Sequence, residues 1–262
     1  MARLVEAYDE FMSNLFQSLH GAIKKENMIP ITKVGRPEQL ATLDSLGIDK
    51  NFVFQDPKGF IDKYNYWNGP VYVGLMNLSE DVLKMMRASE RIKMMTEDMN
   101  SLMASNNWGK VFSMMEKKIL IPMYIELFDR ISDNHKYEVF MDLHVRSEFG
   151  FEMFDNDFIK KVFNYKTLNK GYNARMAAFD KNSQKNLTPE GKIKVYHGKN
   201  GDYNAYDEMS WTLSRKTASF FANRFQSKGT IVTRLIDRSE VQDYYNQRGE
   251  HEVIIFPELK QV

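Results

Sequence analysis

The sequence contains no cysteine. That absence excludes disulfides, thiolate metal sites and a cysteine nucleophile together, and it accords with a reducing, cytoplasmic setting. An excess of charge of either sign is also missing, since 36 Lys and Arg face 35 Asp and Glu, a formal net charge of +1. A dedicated polyanion binder needs surplus cations to release counterions, so neutrality argues against one while leaving room for a local basic patch. No uninterrupted apolar run approaches the roughly 20 residues of a membrane helix. The longest candidate, Ile119 to Met123, is short and carries Pro122. The opening stretch has acidic Glu6, Asp9 and Glu10 and lacks a compact apolar segment with a small-residue cleavage site, so no signal peptide is expected. Gly-rich phosphate loops, internal repeats and low-complexity tracts are absent too. The histidines at 20, 135, 144, 197 and 251 show no HExxH or other ligand spacing, so no metal is expected.

What is present reads as globular: 43% hydrophobic and 27% charged residues in a chain of 262, enough for one large domain or two small ones. Residues 1–181 read mainly as helices. Leu4, Tyr8, Phe11, Leu15, Leu19 and Ile23 form an amphipathic stripe, and Pro37 starts a short helix closed by Gly47. The segment 56–70, with Tyr64, Tyr66 and Trp67, reads as a packed loop, and Val71–Leu75 as a lone strand. Ser79 stands where an N-cap would, ahead of a helix running towards Asn106 with Val82, Met85, Met86, Ile92, Met95, Met99 and Leu102 inward. Further helices are expected over 111–131 with an interruption near Pro122, over 137–147, over 156–163 and over 172–179. The 17 methionines read as adaptable core filling rather than a peptide-binding groove.

The polar stretch 180–191 reads as a linker, and beyond it strands are expected at 193–197, 230–236 and 252–256, with one helix at 215–225. The architecture is therefore α+β, a helical N-terminal lobe (1–181) packed on a small mixed β-sheet core (192–262). Three segments of that core carry chemistry-bearing residues: KVYHG at 194–198, SWTLSRKTASFFANRF at 210–225 and RGEHEVIIFP at 248–257. Each alone has a plain explanation; Thr212 or Ser214, for instance, can simply cap the helix that follows.

In order and character, His197-Gly198, Ser210-Trp211-Thr212 and Glu250-His251-Glu252 together resemble the signature segments of the mono-ADP-ribosyltransferase superfamily, in particular its short phage and bacterial members. The likeness covers the last quarter of the chain. It implies an enzyme that moves ADP-ribose from NAD, as co-substrate and without a metal, to a macromolecular acceptor in the cytoplasm of the producing or infected cell. Glu252 is then the catalytic carboxylate beside the ribose, because cleavage of the nicotinamide–ribose bond builds positive charge on the sugar. Glu250, two positions earlier, is expected on the same strand face because side chains alternate with period two, and would handle the acceptor. Glu rather than Gln there goes, in the family, with arginine as acceptor, for which paired bonds to a guanidinium are a sound reason.

By the same resemblance Ser210 steadies the catalytic Glu with Thr212 as secondary member. Gly198 lets the dinucleotide approach the backbone, and His197 bonds the adenosine ribose or a phosphate. The stretch 237–249 would form an acceptor-recognising turn with Tyr244, Tyr245 and Gln247, although aromatic packing under a loop explains the tyrosines equally. Trp211 and Tyr206 suit stacking on nicotinamide, with core packing the favoured reading for Trp211. His251 is expected to be incidental. The family's arginine-modifying members carry Arg where His197 stands, which leaves Arg175 as a spare candidate. Only residues 198–209 separate the first two segments, so the family's nicotinamide-gripping loop would be truncated or supplied by the helical lobe, whose size suits it to complete the NAD cleft or recognise the acceptor. That acceptor is expected to be a protein, with nucleic acid left open. A non-catalytic binding protein on the same scaffold and an NAD glycohydrolase are the alternative readings.

Overall fold

The computed structural model describes residues 23–57, 63–147, 153–199, 209–224, 229–246 and 248–256. The expected stripe at Leu4–Leu19 lies outside them. The chain divides into two compact units, Met1–Met153 and Phe154–Val262. The expected divide lay later, at the 180–191 linker. Helical residues before that linker belong with the second unit because Met176 and Phe179 are buried among its strands.

The first unit opens with β1 (Ile29–Pro30), α1 (Ile31–Val34), α2 (Pro37–Ser45), β2 (Val53–Gln55), β3 (Tyr64–Asn68) and β4 (Val71–Leu75). These strands form one antiparallel sheet in the order β1-β2-β3-β4. The aromatic stretch expected as a loop is thus strand β3, and β4 is its hairpin partner rather than a lone strand. Aromatic residues suit a pleated, buried surface, and Gly69 at φ 52 supplies the left-handed turn residue between the two strands. Asn65 is buried on β3, where its Oδ1 accepts from the Tyr72 hydroxyl at 2.6 Å.

The first unit continues with α3 (Glu80–Met85), α4 (Ala88–Ala104), α5 (Trp108–Met114), α6 (Leu120–Leu127) and α7 (Asp133–Arg146). The single helix expected from Ser79 to Asn106 is two, separated at Arg87, whose φ of 51 is left-handed. Met85, expected inward, is 72% exposed, and Leu83 takes the buried place. Pro122 does not interrupt its helix. It lies in the first turn of α6, where no intrahelical N–H bond is lost, and the break comes earlier, at extended Met115 and Glu116. Tyr124 sits at the centre of this core, with the rings of Phe112, Phe128 and Phe140 about it.

The second unit contains α8 (Asn156–Phe163), α9 (Tyr172–Asn182), β5 (Ile193–Lys199), β6 (Ser210–Thr212), α10 (Arg215–Ala222), β7 (Thr230–Ile236), β8 (Val241–Tyr245) and β9 (Glu252–Ile255). The sheet order is β7-β5-β6-β9-β8, and every neighbouring pair is antiparallel, so the sheet expected to be mixed is not. Strand β8 occupies the middle of the expected acceptor turn. One face of the sheet buries Ile193, Val195, Trp211, Leu213, Val253 and Ile255 together with Met176 and Phe179 of α9. The α+β class stands. No described helix is long and apolar enough to cross a membrane.

Candidate functional site

Strands β5, β6 and β9 are far apart in sequence and adjacent in the sheet, and they carry the three segments singled out above. In register, Tyr196 faces Thr212, Thr212 faces Glu252 and Ser210 faces Ile254. Paired residues of antiparallel strands share a face. Ser210, Thr212 and Glu252 therefore stand on one side of the sheet, while Trp211 and Val253 point into the core. Across the diagonal, the Ser210 hydroxyl donates to Glu252 Oε1 at 2.5 Å. Both residues are half-buried, so the carboxylate is held by a neighbouring strand without being sealed from solvent.

His197 closes the gap between β5 and β6. The paired register between these strands is Tyr196 with Thr212, and one residue further the His197 Nδ1–H donates to the Ser210 carbonyl at 2.8 Å. A carbonyl only accepts, so Nδ1 carries a proton in this bond and Nε2 is the ring nitrogen left for another partner. The ring lies 5.5 Å from that of Trp211, which is buried in the core rather than offered for stacking. Tyr206 lies outside the described residues.

Gly198 is required for a different close approach from the one expected. A Cβ there would come within 2.1 Å of the Ala218 carbonyl oxygen and 2.6 Å of the Ala222 nitrogen, so helix α10 occupies the space. Thr212 is likewise a fastening. Its Oγ1 donates to the Glu250 carbonyl at 2.5 Å and accepts from the Ser214 N–H at 3.0 Å, tying the approach to β9 onto the end of β6.

The alternation invoked to place Glu250 on the face of Glu252 does not hold, because Glu250 precedes the strand and His251 between them has φ 51. A left-handed residue reverses the backbone instead of continuing the pleat. Glu250 is half-buried. His251 is not incidental. Its N–H donates to Asn246 Oδ1 at 3.1 Å, its carbonyl accepts from the Leu213 N–H at 3.1 Å, and its Nδ1 lies 2.7 Å from the Tyr244 hydroxyl. That hydroxyl also accepts from Asn182 Nδ2 at 3.0 Å. Burial holds the His251 imidazole below its usual pKa, with repulsion from Lys185 adding to it. Burial pushes the Tyr244 phenol up, the Asn182 bond opposing.

Tyr244 is only 1% exposed, so it does not present a surface to an acceptor as expected. Tyr245 is half-buried, faces Glu252 in register and carries the Arg175 guanidinium 4.7 Å from its ring centre. Gln247 lies outside the described residues. Arg175, the spare candidate for the first segment, has a structural task. Its Nε and Nη2 donate to the two carboxylate oxygens of Asp243 at 2.9 and 2.6 Å, and its Nη1 donates to Asn169 Oδ1 at 2.9 Å. Asp243 is fully buried. Sequence reading missed Asp243, Asn182 and the use of His251. The available signal was an acid in the middle of the apolar-aromatic run VQDYY, which demands a cationic partner.

Among the described residues no group of His, Asp and Glu is disposed to hold a metal ion. Comparison with family models, with curated proteins and with solved structures finds no match to this chain.

Proposed function

We propose that the C-terminal unit is an NAD-dependent mono-ADP-ribosyltransferase with Glu252 as its catalytic carboxylate. The observation that carries the reading is the Ser210–Glu252 bond across adjacent strands, with His197 on the third strand fastened to the same serine's carbonyl. A transferase of this kind needs a fixed anion beside the ribose. The bond from ribose C1′ to the nicotinamide nitrogen breaks, nicotinamide leaves neutral with the electron pair, and cationic charge grows on the sugar. A preorganised carboxylate stabilises that charge at no reorganisation cost. Ser210 supplies the preorganisation, because a hydroxyl donating to a carboxylate fixes its rotamer. C1′ then bonds to the acceptor nitrogen, whose proton passes to a base, the role given to Glu250. A guanidinium is the acceptor that pairs best with a carboxylate in that place.

The place of Glu250 ahead of β9 supports a second reading, NAD glycohydrolase, because strand alternation does not reach that residue to set it beside Glu252. Water then replaces the acceptor in the same step. Both readings are tested by incubating the purified protein with NAD, with and without agmatine as a guanidinium probe. Wild type is expected to release nicotinamide, and Glu252→Gln to lose about 10²–10³-fold of that rate with an unchanged circular dichroism spectrum. Ser210→Ala is expected to lose about 10-fold, the worth of one charge-assisted bond. An adduct on agmatine supports transfer, and release without adduct supports hydrolysis. No nicotinamide from wild type overturns both and leaves a non-catalytic binding module.

A further inference from the structure

We infer that His251 is a positioning residue, tied through Tyr244 to helix α9, whose task is to set the two glutamates that flank it and thereby direct ADP-ribose to an acceptor instead of to water. The inference rests on the transferase reading and names a determinant of its outcome.

His251 is fixed at both its backbone and its ring. The backbone N–H and carbonyl of His251 are each bonded, to Asn246 and to Leu213, and its ring reaches Tyr244. The carbonyl of the preceding Glu250 is held by Thr212. The following residue, Glu252, begins β9 and takes the Ser210 bond. A residue with a Cβ is strained in the left-handed region, so the conformation needs support from outside itself. The Tyr244–His251 contact provides it, and its direction can be worked out. Asn182 Nδ2 can only donate, so the Tyr244 hydroxyl accepts from it and spends its own proton on His251. His251 Nδ1 is then the acceptor, and the neutral ring carries its proton on Nε2. The downward push on the His251 pKa from its burial agrees with a ring kept neutral.

This chain of bonds runs from α9, through β8, to the corner between the two carboxylates. Tyr244 is buried and packed edge-on against Phe179 at 5.6 Å, so the phenol is a rigid post. Moving the corner moves Glu250 relative to Glu252. Chemistry at C1′ is sensitive to such displacement, since about 1 Å of misplacement costs on the order of 10²-fold in rate. Loss of the oxocarbenium to water needs no positioned base, whereas transfer to a guanidinium does.

The experiment uses the full-length chain with NAD and agmatine, measuring total nicotinamide released and ADP-ribosyl-agmatine formed. Tyr244→Phe keeps the packed ring and removes the hydroxyl. His251→Asn keeps a residue that tolerates the left-handed region and removes the imidazole. Both are expected to lower the ratio of transfer to release by at least about 5–10-fold relative to wild type. A merely structural role would lower stability, and transfer and release together, with the ratio unchanged. An unchanged ratio in both variants, with wild type active, overturns the positioning role and leaves the transferase reading standing. Release without any adduct in wild type overturns the positioning role and leaves hydrolysis. Absence of nicotinamide release from wild type overturns the enzymatic reading and this inference with it.

Discussion

Replacing Arg175 separates a structural arginine from a substrate-binding one. The guanidinium of Arg175 meets both oxygens of Asp243, whose side chain is fully buried, and is itself 20% exposed. Arg175→Met leaves a desolvated carboxylate without its counter-charge. Removing one member of such a buried pair costs about 3–5 kcal/mol, several times the net worth of a single hydrogen bond. Other interactions of Asp243, among them Oδ1 accepting from the Tyr244 N–H at 2.7 Å and the nearby charge of Lys166, offset only part of this. Total stability of a domain is about 5–15 kcal/mol, so the variant is expected to sit near the edge of folding. Urea unfolding followed by tryptophan fluorescence reads the effect. With a slope of about 2 kcal/mol/M, the midpoint of the transition involving Trp211 falls by about 2 M. The double variant Arg175→Met with Asp243→Leu is expected to recover much of the loss, because an apolar replacement of a whole buried pair is close to neutral. A midpoint for Arg175→Met within about 0.3 M of wild type would refute the reasoning. So would a double variant no more stable than the single. A rise in KM for NAD with stability unchanged would instead return Arg175 to the first segment of the signature.

Two further outcomes follow from the same unit. Gly198→Ala places a methyl group 2.1 Å from a helix carbonyl, a backbone atom that cannot swing aside, so α10 must lift from β5. A loss of at least about 1–3 kcal/mol is expected by urea unfolding, and full stability in that variant would contradict the described approach of α10 to the sheet. Stability is also expected to depend on pH through His251. Its folded pKa lies below the unfolded value of about 6.5, so the unfolded chain binds more protons between the two values. The stabilisation is complete above the unfolded pKa and is lost as pH falls through it towards the folded value. Unfolding midpoints measured from pH 8 to 5 should fall less in His251→Asn than in wild type, and identical profiles would remove His251 as their source.

Much of the second unit was legible because its strands keep simple patterns. Ile193 and Val195 are buried on either side of exposed Lys194, and the apolar run beginning at Val253 is buried at Val253, Ile254 and Ile255. The family resemblance also implied that Ser210 steadies Glu252, and the two are bonded. Strand β8 was not legible, since Gln242 and Asp243 read as a polar turn until Arg175, 68 residues away, neutralises the acid. The same long-range dependence hides the corner at His251, because alternation is a rule for residues inside a strand and says nothing of where the strand begins. In the first unit the break in the α3–α4 segment is made by a left-handed Arg87, a conformation that no pattern of apolar residues announces. The β3–β4 hairpin was obscured by Gly69 and Pro70, which signal a turn correctly while masking the strand on the near side of it.

The sheet order also bears on synthesis from the ribosome. Strand β9 pairs with β6 on one side and β8 on the other, yet it is the last of the three to emerge. Until it slots between them, two strands already made have no common neighbour, and the carboxylate at 252 has not met its serine. On the proposed reading, a chain stalled before that point lacks the carboxylate on which the centre depends, and the centre is whole only once β9 is inserted.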